Sequence, residues 1–165
     1  GEPAHLLWRH AAAVGDGATL GVNAAREPGT LAFGATALAG DAAFEIDAGC
    51  TLAVTDVTGG EDIVKRGAGA LALAGATADY AGDTRLEAGT LALDAARLPR
   101  TTDLHVASGA TLSLAFAGKQ YVHALFVDGA PMPGGLYTTE KAAWITGPGT
   151  LVVTYPPVGS MLFLR

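Results

Sequence analysis

Cysteine, aromatic residues and charged residues are all scarce in this chain of 165 residues, and each scarcity excludes a class of protein. The single cysteine, Cys50, cannot form an intrachain disulfide, and it excludes both zinc sites built on several cysteines and the CxxC redox motif. Aromatic residues make up 7% and charged residues 16% of the chain, although an average globular protein has roughly 25% charged residues. Hydrophobic residues still make up 50%, which is too many for a disordered segment.

Positively charged residues are fewer than negatively charged ones. Ten Lys and Arg residues face sixteen Asp and Glu residues, which gives a net charge of −6. The three lysines are Lys65, Lys119 and Lys141, and Lys65-Arg66 is the only adjacent basic pair. Nucleic-acid binding needs clustered Lys and Arg side chains for the phosphates, so we expect no nucleic-acid partner.

Long hydrophobic runs are also missing. No uninterrupted apolar run approaches the roughly 18 residues of a transmembrane helix, so we expect no direct membrane insertion. The chain starts at Gly1-Glu2-Pro3 and carries no signal-peptide pattern there. We therefore expect a fragment of a longer protein, with any targeting signal upstream and the rest of that parent chain as its first partner.

What the chain does contain is a repeated phrase: a glycine, one or two small residues, then Leu-x-(Leu/Val/Phe). The copies are GATLGV (17–22), GTLAF (29–33), GCTLAV (49–54), GALAL (69–73), GTLAL (89–93), GATLSL (109–114), GTLVV (149–153) and, more loosely, GSMLFL (159–164). The first leucines fall at 20, 31, 52, 71, 91, 112, 151 and 162, so most copies lie about 20 residues apart and one interval, 39, is about twice that. Such spacing predicts stacked structural repeats.

A second, weaker strand is predicted before each phrase, and the two must meet at a corner. These strands are FEI (44–46), DIV (62–64), TRLEA (84–88) and DLHVA (103–107). Leu86 and Leu91 are five residues apart, an odd step that would put them on opposite faces of one strand. A corner at Ala88-Gly89, where glycine tolerates a positive φ, restores a common face.

Short strands joined in this way predict an all-β solenoid. Alanine would otherwise favour helices, but the chain has no sustained i, i+3, i+4, i+7 apolar stripe. A unit of about 20 residues buries its apolar face only by stacking on its neighbours. The predicted inward-facing, stacked leucines are Leu71, Leu73, Leu91, Leu93, Leu112 and Leu114.

Residues 64–93, VKRGAGALALAGATADYAGDTRLEAGTLAL, resemble the autotransporter-associated β-strand repeat, also called the passenger-associated transport repeat. The family pattern reads approximately K-x-G-x-G-x-L-x-L-x-G-x-N-x-Y-x-G-x-T-x-V-x-x-G-x-L. The matching positions are Lys65, Gly67, Gly69, Leu71, Leu73, Gly75, Tyr80, Gly82, Thr84, Leu86, Gly89 and Leu91. The usual Asn is replaced by Thr77 or Ala78, and a second glycine before Thr84 is replaced by Asp83.

The resemblance covers residues 60–165 well and residues 1–59 loosely, and residues 127–153 resemble the closing module that often follows such repeats. It implies a single-stranded, right-handed parallel β-helix with about 20 residues per coil. It also implies a large exported bacterial protein at the extracellular or outer-membrane surface of a Gram-negative-type cell. The family describes architecture and export, so it supplies no catalytic residue and no cofactor.

The C-terminal part is predicted to close the solenoid. The phrase due near residue 131 is replaced by a turn-forming run, Asp128 to Gly135, whose prolines do not fit a central strand. Strand-like stretches at 121–127 and 136–138 would form an antiparallel hairpin around it. We therefore divide the chain into solenoid coils at 1–118 and a hairpin-like cap at 119–165, with Phe126, Tyr137 and Trp144 shielding the last coil.

Enzymes that cleave polysaccharides also use parallel β-helices, and glycosidases need paired carboxylates across a cleft. The candidate clusters are Asp79 and Asp83 beside Tyr80 and Arg85, and Glu45 with Asp47. Acids at a turn around a packed tyrosine account for the first, and an alternating half-buried strand accounts for the second. We therefore expect no enzyme activity; a polysaccharide lyase or hydrolase is the alternative.

Metal sites are not predicted either. The acids around Gly59-Gly60 are Asp56, Glu61 and Asp62. They offer oxygen ligands for calcium, but the repeated pattern of calcium-binding β-rolls is missing, which favours a turn.

Histidine and cysteine give no stronger signal. The four histidines, His5, His10, His105 and His123, are far apart in sequence, and a zinc site would need them to converge. We expect His105 to point outward from its strand, and Cys50 to be a buried or corner thiol without a reactive role.

The aromatic residues are the remaining candidates for binding. Candidate ligand contacts, to a polysaccharide or a host-cell surface, are Tyr80, Tyr121, Tyr137 and Trp144. A solenoid end that needs bulky side chains to cover it explains most of the same residues. The sequence thus favours a structural spacer, display stalk or adhesive passenger segment, with a carbohydrate-binding accessory module as a further alternative.

Overall fold

The computed structural model describes residues 5–7, 12–23, 29–59, 61–75 and 78–155, and every regular element in these ranges is a β-strand. The strands of the N-terminal half are β1 (His5–Leu7), β2 (Ala12–Val14), β3 (Ala18–Val22), β4 (Thr30–Leu38), β5 (Ala42–Ile46), β6 (Thr51–Gly59), β7 (Ile63–Arg66), β8 (Ala70–Leu73) and β9 (Ala78–Tyr80). Those of the C-terminal half are β10 (Thr84–Leu86), β11 (Thr90–Leu93), β12 (Leu104–Val106), β13 (Thr111–Leu114), β14 (Lys119–Val122), β15 (Leu125–Val127), β16 (Ala130–Pro131), β17 (Gly135–Tyr137), β18 (Ile145–Thr146) and β19 (Thr150–Val153).

The strands form three sheets that run along the stack of coils. Sheet A has the order β1-β4-β6-β8-β11-β13-β18, with β2 on β4 and β9 on β6. Sheet B has the order β16-β15-β12-β10-β7-β5-β3, and sheet C the order β14-β19-β17. All pairs are parallel except β15–β16 and β17–β19.

Each coil contributes one strand to sheet B, turns a corner and contributes the next strand to sheet A. The sheet-B strands from β5 to β15 begin at Ala42, Ile63, Thr84, Leu104 and Leu125, so one coil takes 20 or 21 residues. About five coils of about 21 residues stack in this way. The predicted β-solenoid and its period of about 20 residues are confirmed.

Sheet A supplies the leucine columns that hold the coils together. Leu52, Leu71, Leu91, Leu112 and Ile145 are register partners in successive coils, and each is at most 2% exposed. Leu73, Leu93 and Leu114 form the parallel column two residues further along each strand, also buried. The inward, stacked leucines are confirmed; burying each stabilises the fold by about 1.5–3 kcal/mol.

Sheet B buries a less uniform set of side chains. Phe44, Lys65, Leu86, Val106 and Val127 share one inward column. Lys65 is only 1% exposed, so a charged side chain occupies a position that its neighbours fill with apolar groups. The predicted corner is also present, because Gly89 has a φ of 70°.

The repeated phrase does not always mark the same sheet. Leu20 lies in β3 of sheet B, and Leu151 lies in β19 of sheet C, so neither belongs to the leucine column of sheet A. The coil after Leu112 returns to that column at Ile145. The interval of 39 residues is therefore one enlarged coil plus a step to a different sheet.

The C-terminal hairpin also differs from the predicted one. β15 pairs with β16, only two residues away, and β17 pairs with β19. The predicted pairing of 121–127 with 136–138 is wrong because a tight turn at Asp128-Gly129, both with positive φ, reverses the chain at once. Pro131 lies in β16, at the outer edge of sheet B, where its missing N–H costs no ladder hydrogen bond. The division at residue 118 stays a prediction.

Candidate functional site

A groove follows the corner between sheets B and A over four coils; we call it the corner groove. It consists of three adjoining depressions of about 240, 330 and 380 Å³. The residues that line it are Ala68, Arg85–Gly89 with Thr90, His105–Thr111, Val127–Gly129, Ala143 and Trp144. Neighbouring depressions share lining residues, such as Ala107 and Asp128 or Ser108 and Gly109, so they lie side by side along the corner.

Missing side chains open the groove at its C-terminal end. Gly109 and Gly129 have φ values of 81° and 76°, in the region that favours glycine. A Cβ atom added to either would meet nothing within 4 Å. At Gly89, in contrast, an added Cβ would lie 2.3 Å from the carbonyl oxygen of Gly69. The surface is therefore open directly over Gly109 and Gly129.

The walls of this open end carry hydrogen-bonding groups and one indole. Trp144 is partly exposed, and its carbonyl accepts a hydrogen bond from the Leu112 amide at 2.8 Å. Asp128 is exposed, has a φ of 50°, and its Oδ1 accepts the Ser108 amide. Ser108 and Thr111 add hydroxyl groups. An indole, hydroxyls and a carboxylate thus line one open depression.

The outer face of sheet B carries a ladder of charges and rings beside the groove. Its register column runs Val64, Arg85, His105, Phe126. The Arg85 guanidinium contacts Asp62 and Asp83, both at 3.0 Å, and its pKa is raised, mainly by the hydrogen bond to Asp62. His105 stacks on Phe126 with ring centroids 4.6 Å apart.

A second histidine lies one coil further on. The Nδ1 of His123 is 2.7 Å from Asp103 Oδ1, and its ring stacks on Tyr155 at 4.7 Å. His105 Nε2 lies 3.4 Å from Asp83. Each described histidine ring therefore pairs with an aspartate of the preceding coil and stacks on an aromatic ring, which is a structural role.

Lys65 is the most unusual ionisable group of the interior. Its Nζ donates to the carbonyl oxygens of Arg66, of Gly67 at 2.7 Å and of Ala88 at 3.1 Å. Burial lowers the pKa of Lys65 to about 8, although the negative charge of Glu45 acts to raise it. The ammonium thus ties the corner of its own coil to that of the next.

Tyr80 anchors a buried chain of hydroxyl groups. Its hydroxyl lies 2.6 Å from the Thr84 hydroxyl, which lies 3.0 Å from that of Thr102. Thr102 in turn donates to the Gly82 carbonyl at 2.9 Å. Burial raises the pKa of Tyr80 well above its ordinary value. The Tyr80 side chain is therefore part of the buried core of the fold.

The four ligand-contact residues predicted from the sequence lie in different surroundings. Tyr80 and Tyr137 are each 3% exposed, so neither ring offers a surface to a ligand, and the prediction is corrected for both. Tyr121 is half-buried beneath Arg100, whose guanidinium carbon is 4.3 Å from the ring centroid. Of the four, Trp144 lines one of the three depressions of the corner groove.

The candidate carboxylates are either exposed or held by neighbouring groups. Asp79, Glu45 and Asp47 are exposed, Asp83 is paired with Arg85, and Asp62 accepts the Asp83 amide at 2.7 Å. Within the described ranges, no group of three or more His, Cys, Asp or Glu side chains is placed to hold a metal ion. His10 and the side chain of His5 lie outside what is described. Cys50 is buried, as expected.

Sequence reasoning missed the side chains that tie the coils together. The repeat pattern identifies Lys65 only as a motif position, although its place two residues after Ile63 in β7 marks it as inward. Gln120 is 1% exposed; its Oε1 accepts the Arg97 and Leu98 amides, and its Nε2 donates to the Leu98 and Tyr121 carbonyls. Nothing in the local pattern distinguishes it from a surface glutamine.

The stacked parallel coils define the class of this protein: it is a β-solenoid. Residues 63–93 match the Passenger-associated-transport-repeat family, so the chain carries this repeat, and the resemblance stated for residues 64–93 is confirmed. No curated protein and no solved structure matches the chain. In the part of the chain that is described, no helix is long and apolar enough to cross a membrane.

Proposed function

We propose that this chain is a rigid spacer segment in the passenger of an exported bacterial protein, and that it displays the parent chain at the extracellular or outer-membrane surface of a Gram-negative-type cell. The repeat and the solenoid fit a passenger segment. The observation that carries the spacer role is the unbroken leucine ladder. Leu52, Leu71, Leu91 and Leu112 are each 0% exposed and stack in register, so the coils resist bending.

The proposed role is structural and not enzymatic. The carboxylates near the sheet-B face, such as Asp62 and Asp83, are occupied by Arg85 or by backbone amides. A glycosidase needs two carboxylates free on either side of a bond. A cleavage assay tests the non-enzymatic role: the purified chain should not cleave neutral or uronate polysaccharides.

Deletion of one coil tests the spacer role. Thr84 and Leu104 are register partners, so removing residues 84–103 joins two equivalent positions. The shortened protein should unfold cooperatively, and a distance between labels on its two ends should fall by about 4.8 Å, the spacing between strands.

The matched control removes residues 84–88, the sheet-B strand β10 with its corner, so that the sheet-A strand β11 follows directly where a sheet-B strand is due. We expect this variant to lose cooperative unfolding. Equal disruption by both deletions would contradict the spacer proposal. Surface display is tested separately, by antibody labelling of intact cells that express the chain within its parent protein.

A further inference from the structure

The open end of the corner groove is the part of the described surface where free volume, an aromatic residue and exposed hydrogen-bonding groups coincide. The depression of about 330 Å³ is lined by Trp144, Thr111, Ser108 and Asp128. The space over Gly109 is empty of protein atoms to 4 Å. Neither the leucine columns nor the ladder on sheet B explains this combination.

We propose that the corner groove binds a short neutral oligosaccharide. A sugar ring offers an apolar C–H face and a rim of hydroxyl groups. Trp144 supplies apolar aromatic surface for the C–H face, and such a ring suits a ligand that is apolar on one side and solvated on the other. The Asp128 carboxylate accepts hydrogen bonds from hydroxyls more strongly than a neutral oxygen does, and Ser108 and Thr111 supply further partners.

The shape of the groove favours a chain of sugars over a single one. It runs from Ala68 to Trp144 along the solenoid axis. Four coils with a spacing of about 4.8 Å give it a length of about 14 Å. A peptide that binds by adding a strand to a sheet would need a free strand edge, but the strands beside the groove, β10–β13, are paired on both sides.

The charges of the groove favour a neutral ligand. Asp128 is exposed, Glu87 is paired with Arg66 at 2.7 Å, and Arg85 is held by two aspartates. The positive charge of Arg85, which lines the groove, is thus already neutralised, while the Asp128 carboxylate repels anions. A uronate chain would meet repulsion without a compensating cation.

The experiment uses the fluorescence of Trp144. The chain has two tryptophans, so Trp8→Phe leaves Trp144 as the sole tryptophan. This protein is titrated with cellohexaose, maltohexaose, chitohexaose and hexagalacturonate. We expect at least one neutral hexamer to shift the emission saturably, and hexagalacturonate to bind at least tenfold more weakly. The absence of saturable change with every neutral hexamer, or tighter binding of hexagalacturonate, would overturn the proposal.

Two variants link the binding to the groove. Ala143 is exposed and lines the depression, so Ala143→Leu should weaken binding at least tenfold by filling it. Ala115 is also exposed but does not line it, and Ala115→Leu should change binding less than twofold. Equal effects of the two would refute the site.

Asp128→Asn tests the carboxylate itself, because asparagine tolerates the positive φ and keeps an oxygen for the Ser108 amide. It should weaken binding of the neutral hexamer several-fold and reduce the discrimination against hexagalacturonate. Unchanged discrimination would contradict the role of Asp128. Thermal melting of each variant checks that the solenoid is intact.

Discussion

Replacing Lys65 with methionine should remove a rise in stability with pH. The Lys65 side chain is 1% exposed, and burial lowers its pKa from 10.5 to about 8. Between these pH values the unfolded chain holds the proton that the folded chain has lost. Since stability rises with pH wherever the unfolded state binds more protons, the wild-type protein should become more stable from about pH 8 upward.

The magnitude follows from the two pKa values. A difference of one pKa unit corresponds to 1.36 kcal/mol, so the full effect of lowering the pKa from 10.5 to about 8 is about 3 kcal/mol. About 2 kcal/mol of this should be present by a pH of about 9.5. Tyr80 and Tyr137 act in the opposite direction above their ordinary pKa, because burial raises the pKa of both. The rise in the free energy of unfolding should therefore stop and reverse above about pH 10.

The assay is urea unfolding at about pH 7 and pH 9.5, with the free energy of unfolding extrapolated to water. The matched control is Lys119→Met, because Lys119 is exposed and loses the same charge. The control should keep the rise of about 2 kcal/mol, and Lys65→Met should lose it. A Lys65→Met protein that gains as much stability as the control would refute the assignment of this rise to a buried ammonium.

Three further outcomes are expected. Leu112→Asp places an unpaired charge in a fully buried column and should cost more than about 4 kcal/mol, whereas Ser113→Asp on the outward face should change stability by about 0.5 kcal/mol or less; similar costs in urea melts would contradict the inward column. Tyr80→Phe removes one end of the buried hydroxyl chain and should cost about 1 kcal/mol; an unchanged melting midpoint would show that this hydrogen bond contributes nothing. Deletion of residues 119–146 should leave a fragment that associates through its open end in sedimentation, and a monomer of unchanged stability would show that the segment is not a cap.

Periodic features were predictable because they depend on short-range geometry. The interval of about 20 residues between Leu71, Leu91 and Leu112 is set by the length of one coil. The corner at Gly89 followed from an odd step between two leucines that must share a face. Side chains that stack on their own equivalents in neighbouring coils make the pattern repeat in the sequence.

The hairpin was not predictable in the same way. Asp128-Gly129 and the prolines at 131 and 133 both indicate turns, and local turn chemistry permits several partners for each short strand. β17 pairs with β19, which requires the coil to have returned past Ile145 first. Pairing over such distances depends on which sheet edge is free.

The corner groove combines residues from four coils, such as Ala68, Ser108 and Trp144. Of the four aromatic residues singled out in the sequence, burial separates Tyr80 and Tyr137 from Trp144. Composition and spacing carry no information on this point, since an aromatic side chain fits a core and a groove equally well.

The sequence by itself determined the solenoid and its period, because each repeat must bury its apolar face against a copy of itself. The tertiary structure alone decided that Lys65 faces inward to three carbonyls, that β16 and β17 pair antiparallel with β15 and β19, and that an open groove lies beside Trp144. These features arise where coils differ from one another. At such positions the partners of a side chain lie about 20 residues or more away, and only the stacked fold brings them together.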